Sequence, residues 1–275
     1  MRVSERREHV LEAGDVRVAI DPIGGGRVTS LRLSGAEILS GPEVHPSNYG
    51  ATLWTSPQSD WGWPPPAEYD DLPYSAATHE GGAVTLVGPI SRHLEVRLVK
   101  RFSIDGRDGA IVVESQIENA GAAPRAFAPW LVSRVPARGL TFYPTGATWG
   151  GPLPVERIGG VTWYRHEPDV LTRTGAKSFG DGLRGFVAHA HGDVLFVNRF
   201  VDLPPELHAP GHGEVEVYAN DLYVEVEVQG PYAVIAPGAR SLPWAVRWHL
   251  KRLPPEVATA VGSASLLAFA SAVGS

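Results

Sequence analysis

The sequence contains no cysteine, which excludes a disulfide scaffold, a zinc–thiolate site and a cysteine nucleophile. Lysine is scarce as well, with Lys100, Lys177 and Lys251 the only three. Acidic residues number 30 against 24 basic ones, a net charge of −6, so no concentrated positive surface is offered to nucleic acid. A strongly apolar run of the ~20 residues that a membrane helix needs is also missing. The tail 257–275 is uncharged, but its apolar content is mostly alanine and Gly262 interrupts it. The opening residues are charged and polar with no apolar stretch behind them, so no signal peptide is expected and the default address is the cytoplasm. Neither a Gly-x-Ser-x-Gly elbow nor a Walker sequence is present. Gly24-Gly25-Gly26 precedes a strand pattern rather than a helix and reads as a turn.

Glycine and proline, by contrast, are plentiful: 31 Gly and 24 Pro disfavour a mostly helical chain. Apolar and polar residues alternate over 16–20, 28–33, 84–87, 94–99, 110–117, 185–189, 194–197, 213–218, 223–228, 233–236 and 244–250. About a dozen strands with turn-rich links predict an all-β protein, a large antiparallel β-sandwich occupying 1–275 as one domain. Val257, Val261, Leu266, Leu267 and Ala270 fall on one helical face, predicting a short C-terminal helix over 257–275 that docks on the body. Residues 41–74 and 136–182 break the strand rhythm and read as long loops, where function tends to concentrate.

The first of these loops contains Trp54, Trp61 and Trp63 among Asn48, Thr52, Ser56, Gln58 and Asp60. Flat apolar faces beside neutral hydrogen-bonding groups suit a sugar, whose ring offers a C–H face and a rim of hydroxyls. The same tryptophans equally suit plugs beneath an irregular loop, each then needing an N–H acceptor. On a strand over 223–228, Tyr223, Glu225, Glu227 and Gln229 share one face, which is either solvated or the floor of a site. A part-buried carboxylate there would make a general base with a raised pKa. His189 and His191 share a strand face, and His208 and His212 follow in a Pro/Gly loop, so a histidine metal site is conceivable; ordinary edge and loop histidines are the expectation, with no metal and no cofactor.

Three segments carry a family resemblance. Gly25-Gly-Arg-Val-Thr-Ser-Leu-Arg-Leu-Ser-Gly-Ala-Glu-Ile-Leu39 resembles the opening strands of the galactose mutarotase (aldose 1-epimerase) superfamily, and residues 225–248 resemble its closing run. The loop Trp54-Thr-Ser-Pro-Gln-Ser-Asp-Trp-Gly-Trp-Pro-Pro-Pro66 is similar to that of an uncharacterised mutarotase-like family. The resemblance implies a supersandwich fold and a small-molecule carbohydrate as ligand. It further implies a carbohydrate-acting enzyme in which a glutamate takes the anomeric proton and a histidine protonates the ring oxygen. Glu227 matches the glutamate, with Glu225 as the register alternative. No histidine occupies the matching strand over 127–134, where Trp130 stands, so Lys177 or His93 is the candidate acid. Without an acid, the alternative is a carbohydrate-binding protein that keeps the fold. The candidate sugar contacts are Asn48, Trp54, Gln58, Trp61, Trp63, Trp130, Arg134 and Glu225.

Overall fold

A computed structural model describes residues 8–167 and 170–275. The charged opening residues 1–7, on which the cytoplasmic expectation draws, lie outside the described residues. Nearly all regular structure is antiparallel β, arranged as two sheets packed face to face. The front sheet runs His9–Ala13, Val16–Asp21, Arg27–Leu33, Ala51–Ser56, Arg125–Pro136, Tyr223–Gln229, Val215–Ala219, Ala176–Gly182 and then the far half of Leu140–Gly150. The near half of Leu140–Gly150 belongs to the back sheet, where Phe186–His191, Val194–Arg199, Trp244–Arg252, Ile111–Asn119 and Val96–Ile104 follow in order. One long strand thus passes from sheet to sheet and closes that side of the sandwich.

Alternation decides which residues fill the space between the sheets. Leu53, Leu131, Val217, Val226 and Val228 point inward from the front sheet into one buried apolar cluster with Leu98, Ile111, Phe196, Val246 and Trp248 of the back sheet. Front-sheet residues of the opposite parity face outward, and these are the ones that build the site.

Two segments read as loops are partly strand. Residues 41–74 include Ala51–Ser56, and 136–182 include Leu140–Gly150, Glu156–Ile158, Val161–Arg165 and Ala176–Gly182. All six residues of Ala51–Ser56 are buried, so no polar face alternates along it. Pro144 and the glycines near it mask the strand Leu140–Gly150.

The C-terminal helix exists but is shorter than expected, spanning Ala264–Ala272. Gly262 in the left-handed region (φ +75°) blocks an earlier start, and Ser263 Oγ caps the helix by accepting from Leu266 N–H at 3.2 Å. Leu266, Ala270 and Val273 dock on the outer face of the back sheet against Leu140, Phe142 and Trp163, with Val257 and Val261 packed alongside. Arg199 holds the other end, its Nε donating to Val273 O at 2.7 Å, a cation where the helix dipole favours one. Among the described residues no helix is long and apolar enough to cross a membrane.

Candidate functional site

Five adjacent strands of the front sheet bring their outward residues together. In register across the sheet stand Thr52 and Trp54, then Val132 and Trp130, then Glu227 and Gln229, with Glu216 opposite Glu227 and Tyr218 opposite both Glu225 and Lys177. Strand Tyr223–Gln229 is buried along its whole length, so its acidic face is a floor rather than solvated surface. Above it opens a cleft of about 500 Å³.

Of the sequence-predicted residues, Asn48, Trp54, Gln58, Trp63, Trp130, Lys177 and Glu225 border this cleft. Trp54 and Trp130 meet edge to face with ring centroids 5.2 Å apart, and Trp61 and Trp63 pack on Trp54 at 5.8 and 6.0 Å. Trp54 Nε1 donates to Asp70 Oδ1 at 3.0 Å and Trp61 Nε1 to Thr55 O at 2.8 Å. Buried Trp54 and half-buried Trp61 thereby find acceptors for their indoles, whereas Trp63 is 58% exposed at the rim. Trp61, expected to hold ligand, does not border the cleft but wedges behind Trp54. Arg134 shares this face but does not border the cleft: fully buried beside Glu225, its Nε donates to Glu225 Oε1 at 2.8 Å and its guanidinium lies over the Trp54 ring.

Glu227, the leading candidate base, is 0% exposed and does not border the cleft. Its Oε2 accepts from Trp130 Nε1 at 2.8 Å and from Lys177 Nζ at 2.9 Å, while Oε1 is buried without a partner. Lys177 Nζ also donates to Glu216 Oε2 at 2.7 Å and lies 4.6 Å from the centre of the Trp130 ring. One ammonium therefore bridges two buried carboxylates. Burial pushes the Glu227 carboxyl well above its ordinary range, Lys177 opposes this, and Glu216 and Glu225 add to it. For Lys177 burial acts downward, but Glu216, Glu227 and Glu225 outweigh it and hold the ammonium far above its usual value.

Sequence reasoning missed the role of His212. Gln58 N–H donates to its Nε2 at 3.1 Å, which assigns the ring proton to Nδ1, 2.8 Å from Glu216 Oε1. The imidazole thus ties the tryptophan loop to the acidic floor, edge-on to Trp130 at 5.2 Å. Glu216 and Tyr218 were also missed as site residues, although they share the Glu-Val-Glu-Val-Tyr alternation at 214–218. Asn48 Nδ2 donates to Tyr223 Oη at 3.1 Å, joining the loop to the glutamate strand at the cleft's other end. His93 lies exposed in a turn and does not border the cleft. His189 is buried against Thr141 Oγ1 at 2.9 Å and His191 is exposed; neither joins a group of three ligating residues among those described.

No protein-family model and no curated protein matches the chain. Solved structures do. A galactose mutarotase-like protein from Lactobacillus casei superposes with a TM-score of 0.64 at 13% identity, covering 89% of this chain and 100% of that one. A galactose mutarotase related enzyme from Lactobacillus acidophilus gives 0.64 at 10% identity, over 92% and 100%. A TPR-domain containing protein from Parabacteroides distasonis gives 0.66 at 17% identity over 90% of this chain, which spans 47% of that protein's length. The chain has the galactose mutarotase-like sandwich fold, and likeness at these identities speaks to the fold alone.

Proposed function

We propose that the cleft binds a sugar or sugar derivative and interconverts its anomers by acid–base chemistry of the aldose 1-epimerase type, with 1–275 acting as one domain. The observation that carries this reading is a pair of glutamates on one strand face in unlike surroundings: Glu225 borders the cleft, and Glu227 is sealed beneath Lys177 and Trp130. The two differ in access: Glu225 can meet a ligand hydroxyl and Glu227 cannot, while Lys177, which also borders the cleft, carries a proton to give. The base role accordingly moves from Glu227 to its register alternative, Glu225.

In this reaction Glu225 takes the proton of the anomeric hydroxyl, the bond between the anomeric carbon and the ring oxygen breaks, and Lys177 protonates that oxygen. The open-chain aldehyde rotates about the bond next to its carbonyl, and the same transfers in reverse close the other anomer. Glu227 tunes the acid: once it carries a proton, Lys177 loses a counter-charge and releases its own more readily. The exposed face of Trp63 and the edges of Trp54 and Trp130 supply apolar walls, with Asn48 and Gln58 as hydrogen-bonding groups.

A second reading, sugar binding without isomerisation, is favoured by the strength with which Glu216 and Glu227 hold the Lys177 proton. Polarimetry on fresh aldoses and sugar phosphates separates the two. Isomerisation predicts catalysed mutarotation that E225Q lowers by about 100-fold or more while calorimetric sugar affinity changes little. Binding with no acceleration moves the protein to the second reading; neither binding nor acceleration across the panel overturns both.

A further inference from the structure

Further along the two strands that carry Lys177 and Glu216 lies a second polar cluster, outside the cleft network. Asp181 ends the same side of Ala176–Gly182 that bears Lys177, Glu214 precedes Val215–Ala219, and His208 descends from the loop 200–213. A ligating atom from each lies within 4.8 Å of the others. His208 Nε2 and Asp181 Oδ1 are 3.9 Å apart, too far for a hydrogen bond, although their side chains are only 7% and 9% exposed. Glu214 is wholly buried; its Oε1 accepts from Leu203 N–H at 2.8 Å. His208 Nε2 has no partner, and Glu214 Oε2 has no well-formed hydrogen bond, only the nearby Gly182 N–H, an arrangement that buried polar atoms rarely tolerate.

Two glycines keep the space around these atoms open. A Cβ at Gly146 would lie 1.9 Å from Asp181 Oδ2, and one at Gly182 would lie 3.0 Å from Glu214 Oε2. Ligands held about 2.0–2.2 Å from a shared ion are themselves about 3–4 Å apart, a range that includes the 3.9 Å between His208 and Asp181.

We propose that Asp181, His208 and Glu214 form a binding site for a divalent transition-metal ion, zinc or manganese. An imidazole with two carboxylates suits those ions, whereas calcium and magnesium prefer oxygen ligands alone. The expectation from the sequence was no metal, with His189, His191, His208 and His212 weighed as ligands; of these four the site uses His208 alone. Its role is to pin loop 200–213, which carries His212 four residues after His208 and so holds Gln58 against Glu216. The proposal is independent of what occupies the cleft.

The test uses full-length protein stripped with a chelator, dialysed, and titrated calorimetrically with zinc or manganese chloride. One ion should bind per chain, raising Tm by about 5 °C at ~100 times Kd, with calcium and magnesium ineffective. E214Q and H208A should each weaken binding by about 100-fold with far-UV circular dichroism unchanged, and D181N serves as a third variant if either fails to fold. No binding by the folded wild type, or binding that survives these substitutions, overturns the proposal.

Discussion

Where Lys177 meets Glu216 and Glu227, two buried acids share an ammonium; where Asp181 meets Glu214, two strand positions along, no lysine or arginine is paired with either among the described residues. Both clusters draw on Ala176–Gly182 and on the stretch that runs into and along Val215–Ala219, and only the first has a lysine. At the first, burial pushes Glu216 up but Lys177 and His212 more than reverse it, leaving it below its ordinary value. At the second, burial drives Glu214 up to about 9. A buried carboxylate must obtain a counter-charge or keep a proton, and of these two clusters only the first is given a lysine.

The sharpest way to break this contrast is to make the first cluster resemble the second. Lys177→Met removes the ammonium between Glu216 and Glu227 and should destabilise the protein by about 3 kcal/mol in urea denaturation at pH 8. The loss should shrink at pH 5, where Glu227 takes a proton more easily, and the double variant K177M/E227Q should regain most of it. A double variant no more stable than K177M would mean that packing over Trp130, not charge, is what Lys177 provides.

Glu227 itself gives the next effect. Its proton affinity is raised in the folded state above the ordinary 4.5, so folding takes up a proton from pH 4.5 upward. The sign follows: this residue's contribution falls as pH rises through that window, by at most about 1.4 kcal/mol per pH unit. His189 and His249, held below their ordinary range by burial, act oppositely below pH 6.5. The difference between wild type and E227Q therefore isolates the glutamate, and E227Q should gain relative stability steadily from pH 5 to 8. The groups facing it are Lys177, Glu216 and Glu225. A difference that stays flat with pH would mean Glu227 is ionised throughout.

Much of the first cluster could be read in the sequence, because alternation places Tyr223, Glu225, Glu227 and Gln229 on one strand face. Depth was not legible: the same pattern fits a solvated edge, and only the neighbouring strands Arg125–Pro136 and Val215–Ala219 bury it. The tryptophan motif announced a special loop without revealing the depth of each indole: Trp54 is buried, Trp61 half-buried with its N–H bonded to Thr55 O, and Trp63 exposed. Of the second cluster only His208 stood out in the sequence, as a loop histidine; its two carboxylates left no local trace. Asp181, His208 and Glu214 come from separate segments, and what brings them together is the pairing of Ala176–Gly182 with Val215–Ala219 and the course of loop 200–213.

That loop also sets the smallest and most discriminating test, because it touches both clusters. His212→Ala deletes the acceptor for Gln58 N–H and a donor to Glu216, which should cost about 1–2 kcal/mol by urea denaturation. If a metal pins the loop through His208, the cost should be about 0.5–1 kcal/mol larger in zinc-loaded protein than in chelator-stripped protein, since zinc and His212 favour the same ordered form of residues 200–213 and losing one weakens the other. Wild type and H212A, each with and without zinc, form a cycle whose coupling energy reads this directly. Equal costs in both forms would mean that the clusters, although built on the same pair of strands, are energetically separate, and that the cation at the second serves only its own carboxylates.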